Sequence, residues 1–205
     1  MKIFFLGLIL SMAGLSSIPK SSVSTSPKSL QEQRWNEATT RVEKQSEVRW
    51  ICKKIERNKD RYQGLEKSTG VKWEIIACLH NMECGLRFDE HLHNGDSLTK
   101  RTWEEPKGRP KTGNPPFTFE YSAIDALQYD HMDKVNWKDL NASLNAMEGY
   151  NGWGSRAHGI PSPYLYAGTN IEKPGKYIRD HVWSSTAVSS QIGIVPLLKE
   201  LKVTW

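Results

Sequence analysis

The chain has no apolar run long enough to make a comfortable membrane span, and that absence narrows its class. A mean hydropathy of -0.60 with 25% charged residues excludes a multi-span membrane protein. No Arg/Lys-rich helix or zinc finger is present, so no nucleic-acid partner is expected. The His-Glu-x-x-His pattern of zinc peptidases is missing, and no metal or other cofactor is expected. Cysteine is scarce, with 3 residues at Cys52, Cys78 and Cys84, too few for a disulfide framework. Two of them pair and leave one over, or all are reduced and buried, and spacing alone does not choose. There is no internal repeat and little β pattern. A chain of 205 residues then fits one compact, mainly α domain with short extensions.

What is present begins with a leader. Lys2 precedes the apolar run Ile3 to Leu10, and the small residues Ser11, Ala13, Gly14, Ser16 and Ser17 follow. That order is the charged, apolar and small-residue sequence of a secretory signal peptide, expected over 1–18. No Cys follows the run to suggest a lipoprotein. The mature chain is expected to be secreted or periplasmic, without stable membrane insertion. Residues 19–29, rich in Ser with prolines, read as a linker, and 30–205 as the folded domain. The formal charge of +5 is mild and suits an anionic polymer such as a cell wall.

Within the domain, apolar positions among charges predict a long helical stretch from about Leu30 to Asp60. A strongly apolar helix follows over Lys72 to Glu83, with Gly85 as its C-cap. His91-Leu92-His93, the turn Asn94-Gly95-Asp96 and Leu98 to Trp103 predict a small β-hairpin. Helices are expected again at about Thr118 to Asp133, Trp137 to Gly149 and Thr186 to Leu201. The fold class expected is mainly α (α+β), with one small hairpin after the third or so helix.

One acidic residue stands out. Glu83 ends a helix whose other faces are apolar, with Leu79 and His80 one turn back. A carboxylate held there is poorly solvated, which disfavours its charged form. Glycoside cleavage uses such a protonated acid, because an alkoxide leaves poorly at neutral pH. A hydrolase also uses a second carboxylate. Asp96, thirteen residues on in the turn, is the candidate, with Asp89 and Glu90 as nearer alternatives. Each has a plainer reading: Glu83 as a surface residue of a last helical turn, Asp96 as turn chemistry.

Several segments carry a resemblance. Glu83-Cys84-Gly85-Leu86 resembles the Glu-Ser-Gly segment of lytic transglycosylases, in the lysozyme-like superfamily, with Cys84 in place of Ser. His91 to Thr99 resembles the His-Asn-Gly-Asp-Pro-Leu run of a group of bacterial and phage lysozyme-family proteins, with Ser97 replacing Pro. Tyr150-Asn151-Gly152-Trp153-Gly154 resembles the Tyr-Asn-Ala-Gly signature of transglycosylases and goose-type lysozymes. Gly159 to Leu165 and Gly175-Lys176-Tyr177 are similar to the same group, so the matches run from about Trp73 to Tyr177.

The resemblance implies a lysozyme-like helical domain whose glycan cleft lies beside the hairpin. Peptidoglycan or a related amino-sugar polymer would be the substrate and the chain would act as a monomer. Glu83 would be the general acid and Asp96 the second carboxylate. Tyr150 and Asn151 would line the cleft and hold Glu83 or the sugar. Thr99, with Thr102, would hold a water, and His93, Trp153 and Tyr164 would complete the binding surface. Three other readings stand beside this muramidase. A lytic transglycosylase would use Glu83 alone. A zinc amidase or peptidase would draw on His80, His91 and His93. A wall-binding module would keep the fold without the chemistry.

Overall fold

A computed structural model of the chain describes residues 29–179 and 181–205. The expected leader, and the linker up to Lys28, lie outside the described residues. The rest is mainly α with one two-stranded antiparallel sheet, as the composition implied.

The expected long helical stretch from Leu30 to Asp60 is broken into two helices, with a third starting at Lys59. Helix α1 (Leu30–Glu37) opens with a capping box, in which the Ser29 hydroxyl accepts from Glu32 N and the Glu32 carboxylate from Ser29 N. It stops where Ala38 turns extended, at ψ 125. Helix α2 (Gln45–Arg57) and helix α3 (Lys59–Thr69) follow, separated at Asn58, which leaves helical geometry at φ -112, ψ 14. Periodicity carried across these breaks because the breaking residues, Ala38 and Asn58, are weak punctuation compared with Gly or Pro. Gly70 closes α3 in the left-handed region at φ 73.

Helix α4 (Trp73–Cys84) is the centre of the molecule. Ile75 to His80 form an unbroken buried run, and Met82 and Cys84 extend it. A helix apolar on all sides must be surrounded. It packs on α3 and on the C-terminal helix α9 (Ile194–Glu200), while α2 lays Val48, Ile51 and Ile55 on α9. Helix α5 (Phe119–Tyr129) starts at the Thr118 hydroxyl cap and leans on α3. Helix α6 (Leu140–Asn151) starts at the Asp139 cap and takes α1 on its flank.

That flank is tied by a buried polar chain. The Tyr166 hydroxyl donates to Gln31 Oε1 at 2.9 Å, and Gln31 Nε2 donates to Glu148 Oε2 at 2.6 Å. Arg156 pairs with the same Glu148 oxygen at 2.8 Å. The N-terminal helical segment is therefore part of the domain's packing.

The expected hairpin over 91–103 is not a hairpin. Glu90 and Ser97 make one isolated bridge, and the chain between them is tight turns. The physical reason lies in Asp96. Its Oδ2 accepts from the backbone N–H groups of Trp103 at 2.8 Å and Glu104 at 3.0 Å, donors a return strand would have offered to a ladder. The sheet forms elsewhere, from β1 (Lys176–Arg179) and β2 (Val182–Ser184), where no strand was expected. Tyr177 opposes Trp183 across it. The last helix is also shorter than expected, beginning at Ile194 after Gly193. Two short helices, α7 (Gly154–Ala157) and α8 (Pro163–Tyr166), connect α6 to the sheet.

Candidate functional site

Helix α4 ends where Gly85 enters the left-handed region at φ 57 and Leu86 N donates back to the His80 carbonyl. Glu83 therefore sits in the last turn, half-buried, at the rim of the core. Tyr164, held on α8 and only 7% exposed, donates its hydroxyl to Glu83 Oε1 at 2.8 Å. Burial, and then the negative charge of Glu83, push the Tyr164 hydroxyl well above the usual tyrosine range. It therefore stays protonated at neutral pH and donates to the carboxyl.

The 89–98 segment folds over this helix end. At Gly95 (φ +82) a Cβ would lie 2.9 Å from the Glu83 carbonyl oxygen, so only glycine lets the turn approach so closely. Tyr150, buried on α6, donates its hydroxyl to the Leu92 carbonyl at 3.0 Å and braces the segment from beneath. The Cys84 thiol donates to the His91 carbonyl at 3.3 Å, a hydrogen bond that the Ser of the resembled segment is equally able to make.

Beside Tyr164 opens a cleft of about 170 Å³, lined by Met82, Asn151, Gly152, Pro163, Tyr164, Lys176, Tyr177 and Gln191 among others. Tyr164 is both its wall and the link to Glu83. Strand β1 contributes Lys176 and Tyr177 to its lining, and β2 packs behind them. Trp183 stacks on His158 with ring centroids 3.7 Å apart, and Tyr177 meets Trp183 edge-on at 5.1 Å. A hairpin thus stands beside the cleft, but it is built from residues 176–184. No family model, no curated protein and no solved structure matches this chain.

The site residues expected from the sequence divide into three groups. Tyr164 and Asn151 line the cleft, and Glu83, not itself a lining residue, is bonded to Tyr164 from behind that wall. Asp96, Tyr150 and His93 lie behind it as supports. Asp96 is 5% exposed, and its Oδ2 accepts from Asn94 Nδ2 at 2.9 Å as well as from the two backbone groups. Its carboxylate is the hub of the loop. His93 is fully buried and donates Nε2–H to Asp125, which Arg109 also clamps through two bonds. Burial would raise the Asp125 carboxyl, but the bonds and charges of His93 and Arg109 outweigh it and hold it below the ordinary range.

Thr99 and Trp153 form the third group, on the surface. Thr99 is exposed and bonds the Ser97 hydroxyl at 2.9 Å. Trp153 is 44% exposed but is not among the cleft-lining residues, and the Arg156 guanidinium covers its ring at 4.0 Å. Thr102, the second water-holding candidate, is buried and accepts from Arg109 N at 2.9 Å.

Sequence reading gave no role to Lys176, Tyr177 or Gln191, all of which line the cleft. Gly175-Lys176-Tyr177 was one of the resembling segments, so a signal existed for two of them. Gln191 had none. It reaches the site because its Nε2 donates to the Met82 carbonyl at 3.1 Å. Of the histidines weighed as metal ligands, His80 bonds Tyr62 and the Arg87 carbonyl, and His91 bonds Ser122 and the Lys100 carbonyl. Among the described residues no group of three His, Cys, Asp or Glu side chains is arranged to hold a metal ion.

Proposed function

We propose that this chain is a lysozyme-like enzyme that cleaves the glycan strands of peptidoglycan outside the cytoplasm, acting as a monomer with Glu83 as its general acid. The observation that carries the reading is the 2.8 Å hydrogen bond that ties Glu83, half-buried at the end of an apolar helix, to Tyr164 on the wall of the cleft. An acid so oriented delivers its proton in a fixed direction. The proton goes to the glycosidic oxygen as the C–O bond breaks, so a neutral hydroxyl departs. The segments resembling transglycosylases and goose-type lysozymes support the same reading.

The course of the second half follows from Asp96. Its Oδ2 accepts three hydrogen bonds from the loop and the residue is buried, a poor position from which to activate water. Chemistry with one carboxylate fits better. After giving up its proton, the Glu83 carboxylate takes one from the sugar's own hydroxyl. That oxygen attacks the anomeric carbon and closes a 1,6-anhydro ring.

The test is to incubate the chain and its Glu83→Gln variant with purified peptidoglycan and identify released fragments by mass spectrometry. Anhydro-ended fragments lost in the variant are expected. Reducing-end fragments lost in the variant would return Asp96 to the role of second carboxylate. Wall binding without fragments from either protein would refute the enzyme.

A further inference from the structure

The walls of the cleft are neutral but for one residue. Met82, Asn151, Tyr164, Tyr177 and Gln191 carry no charge opposite the ammonium of Lys176, and neither do the remaining lining residues. Lys176 is half-buried on β1, and its ammonium has no ion-pair or hydrogen-bond partner among the described residues. A cation without a protein partner attracts an anion that enters the same space. The strand that carries it is held on both sides. Lys176 pairs with Ser184, and its neighbour Tyr177 lies against Gly154, where a Cβ would stand 2.6 Å from the ring. The ladder thus holds the Lys176 backbone beside the cleft that its side chain lines.

We infer that Lys176 forms a carboxylate subsite in the cleft, which selects amino-sugar strands bearing an acidic substituent over neutral ones. This rests on the glycan-cleaving reading above and narrows its substrate. In peptidoglycan the matching groups are the carboxylates of a peptide stem, or the lactyl carboxyl of a muramic residue that carries no stem. Chitin, which carries N-acetyl groups but no carboxyl, offers Lys176 nothing. Asn151 and Gln191 supply amide groups able to hold either polymer, so the discrimination falls to the one charge.

Calorimetric binding to the full chain in its Glu83→Gln form tests this without turnover. The probes are an uncrosslinked muramic-acid-containing tetrasaccharide with its free carboxyls and the neutral tetramer of N-acetylglucosamine. The acidic ligand is expected to bind about tenfold more tightly, as one partly desolvated charge-assisted contact provides. The preference should shrink as salt is raised. Lys176→Met should bring the ratio of the two affinities close to one, and Lys176→Arg should retain the preference. Equal weakening of both ligands by Lys176→Met, or an unaltered ratio, would overturn the subsite while leaving the glycan reading in place. Failure of both ligands to bind the Lys176-containing chain would overturn the subsite and the glycan reading together.

Discussion

The Tyr164 hydroxyl and the Glu83 carboxyl, 81 positions apart in sequence, meet at 2.8 Å where α8 passes the end of α4. The pair joins the last turn of the most buried helix to the wall of the cleft. Tyr164→Phe keeps the ring and removes the bond. Glycan-cleaving activity should fall about tenfold to a hundredfold, the range expected for a hydrogen bond to a charged group. The melting temperature should move by only a few degrees. Turbidity clearing of wall suspensions, read beside thermal unfolding, checks both. Unchanged activity would remove Tyr164 from the mechanism.

Asp96 is expected to matter to stability more than to chemistry. Asp96→Asn replaces an acceptor of two backbone N–H groups by an amide that must turn its oxygen toward them and lose its charge. A loss of about 1.5–3 kcal/mol in unfolding free energy is expected, the worth of hydrogen bonds to a charged group. Specific activity of the folded fraction should stay within several-fold. Urea unfolding and activity measured on the same preparation distinguish this from a second catalytic carboxylate. Such a carboxylate would lose activity with stability intact.

Mild acid should destabilise the fold before its carboxylates titrate. Burial pushes the His80 imidazole down from 6.5 to about 4. In the neutral ring Nε2–H donates to the Arg87 carbonyl, so Nδ1 accepts from the Tyr62 hydroxyl. The folded state binds the proton more weakly than the unfolded state. The stabilisation is therefore complete above about pH 6.5 and is lost as pH falls toward 4. Burial lowers His91 as well, which adds to the same slope. The expected loss for His80 is on the order of 3 kcal/mol across that window. Urea midpoints at half-unit pH steps would reveal it, and His80→Gln should flatten the curve even if it lowers stability at every pH.

The three cysteines are free and buried. Burial pushes the Cys52 thiol up to about 12 and Cys78 and Cys84 well above their ordinary value. A thiolate is the reactive form. A disulfide-exchange reagent should therefore label none of the three within minutes in the native protein and all three after unfolding. Cys84→Ser should fold and retain most activity, because its hydroxyl can donate to the same His91 carbonyl. Labelling of Cys84 in the native state would show that the turn over α4 opens readily.

Much of the framework was written locally. An apolar run closed by Gly85 specifies α4 and sets Glu83 in its last turn within a residue of expectation. The caps at Ser29, Thr118 and Asp139 are equally local signals, because a hydroxyl or carboxylate three residues ahead of an orphan N–H is sufficient to start a helix. Mainly α class follows from such elements. The partners of Glu83 do not. Asp96 looked available from its turn, and only packing showed its oxygen occupied by Trp103 and Glu104. The resemblance gave Tyr150 and Asn151 the task of holding Glu83 or the sugar and Tyr164 only a place on the binding surface, whereas Tyr164 reaches Glu83 directly from α8. The sheet appeared at 176–184, where Tyr177, Trp183 and His158 stack, and not at the segment with the hairpin-type turn. A helix start depends on neighbours a few residues away, which a sequence displays. A cleft depends on which distant backbones close around it, and that is decided only when burial forces each polar group to find its partner in three dimensions.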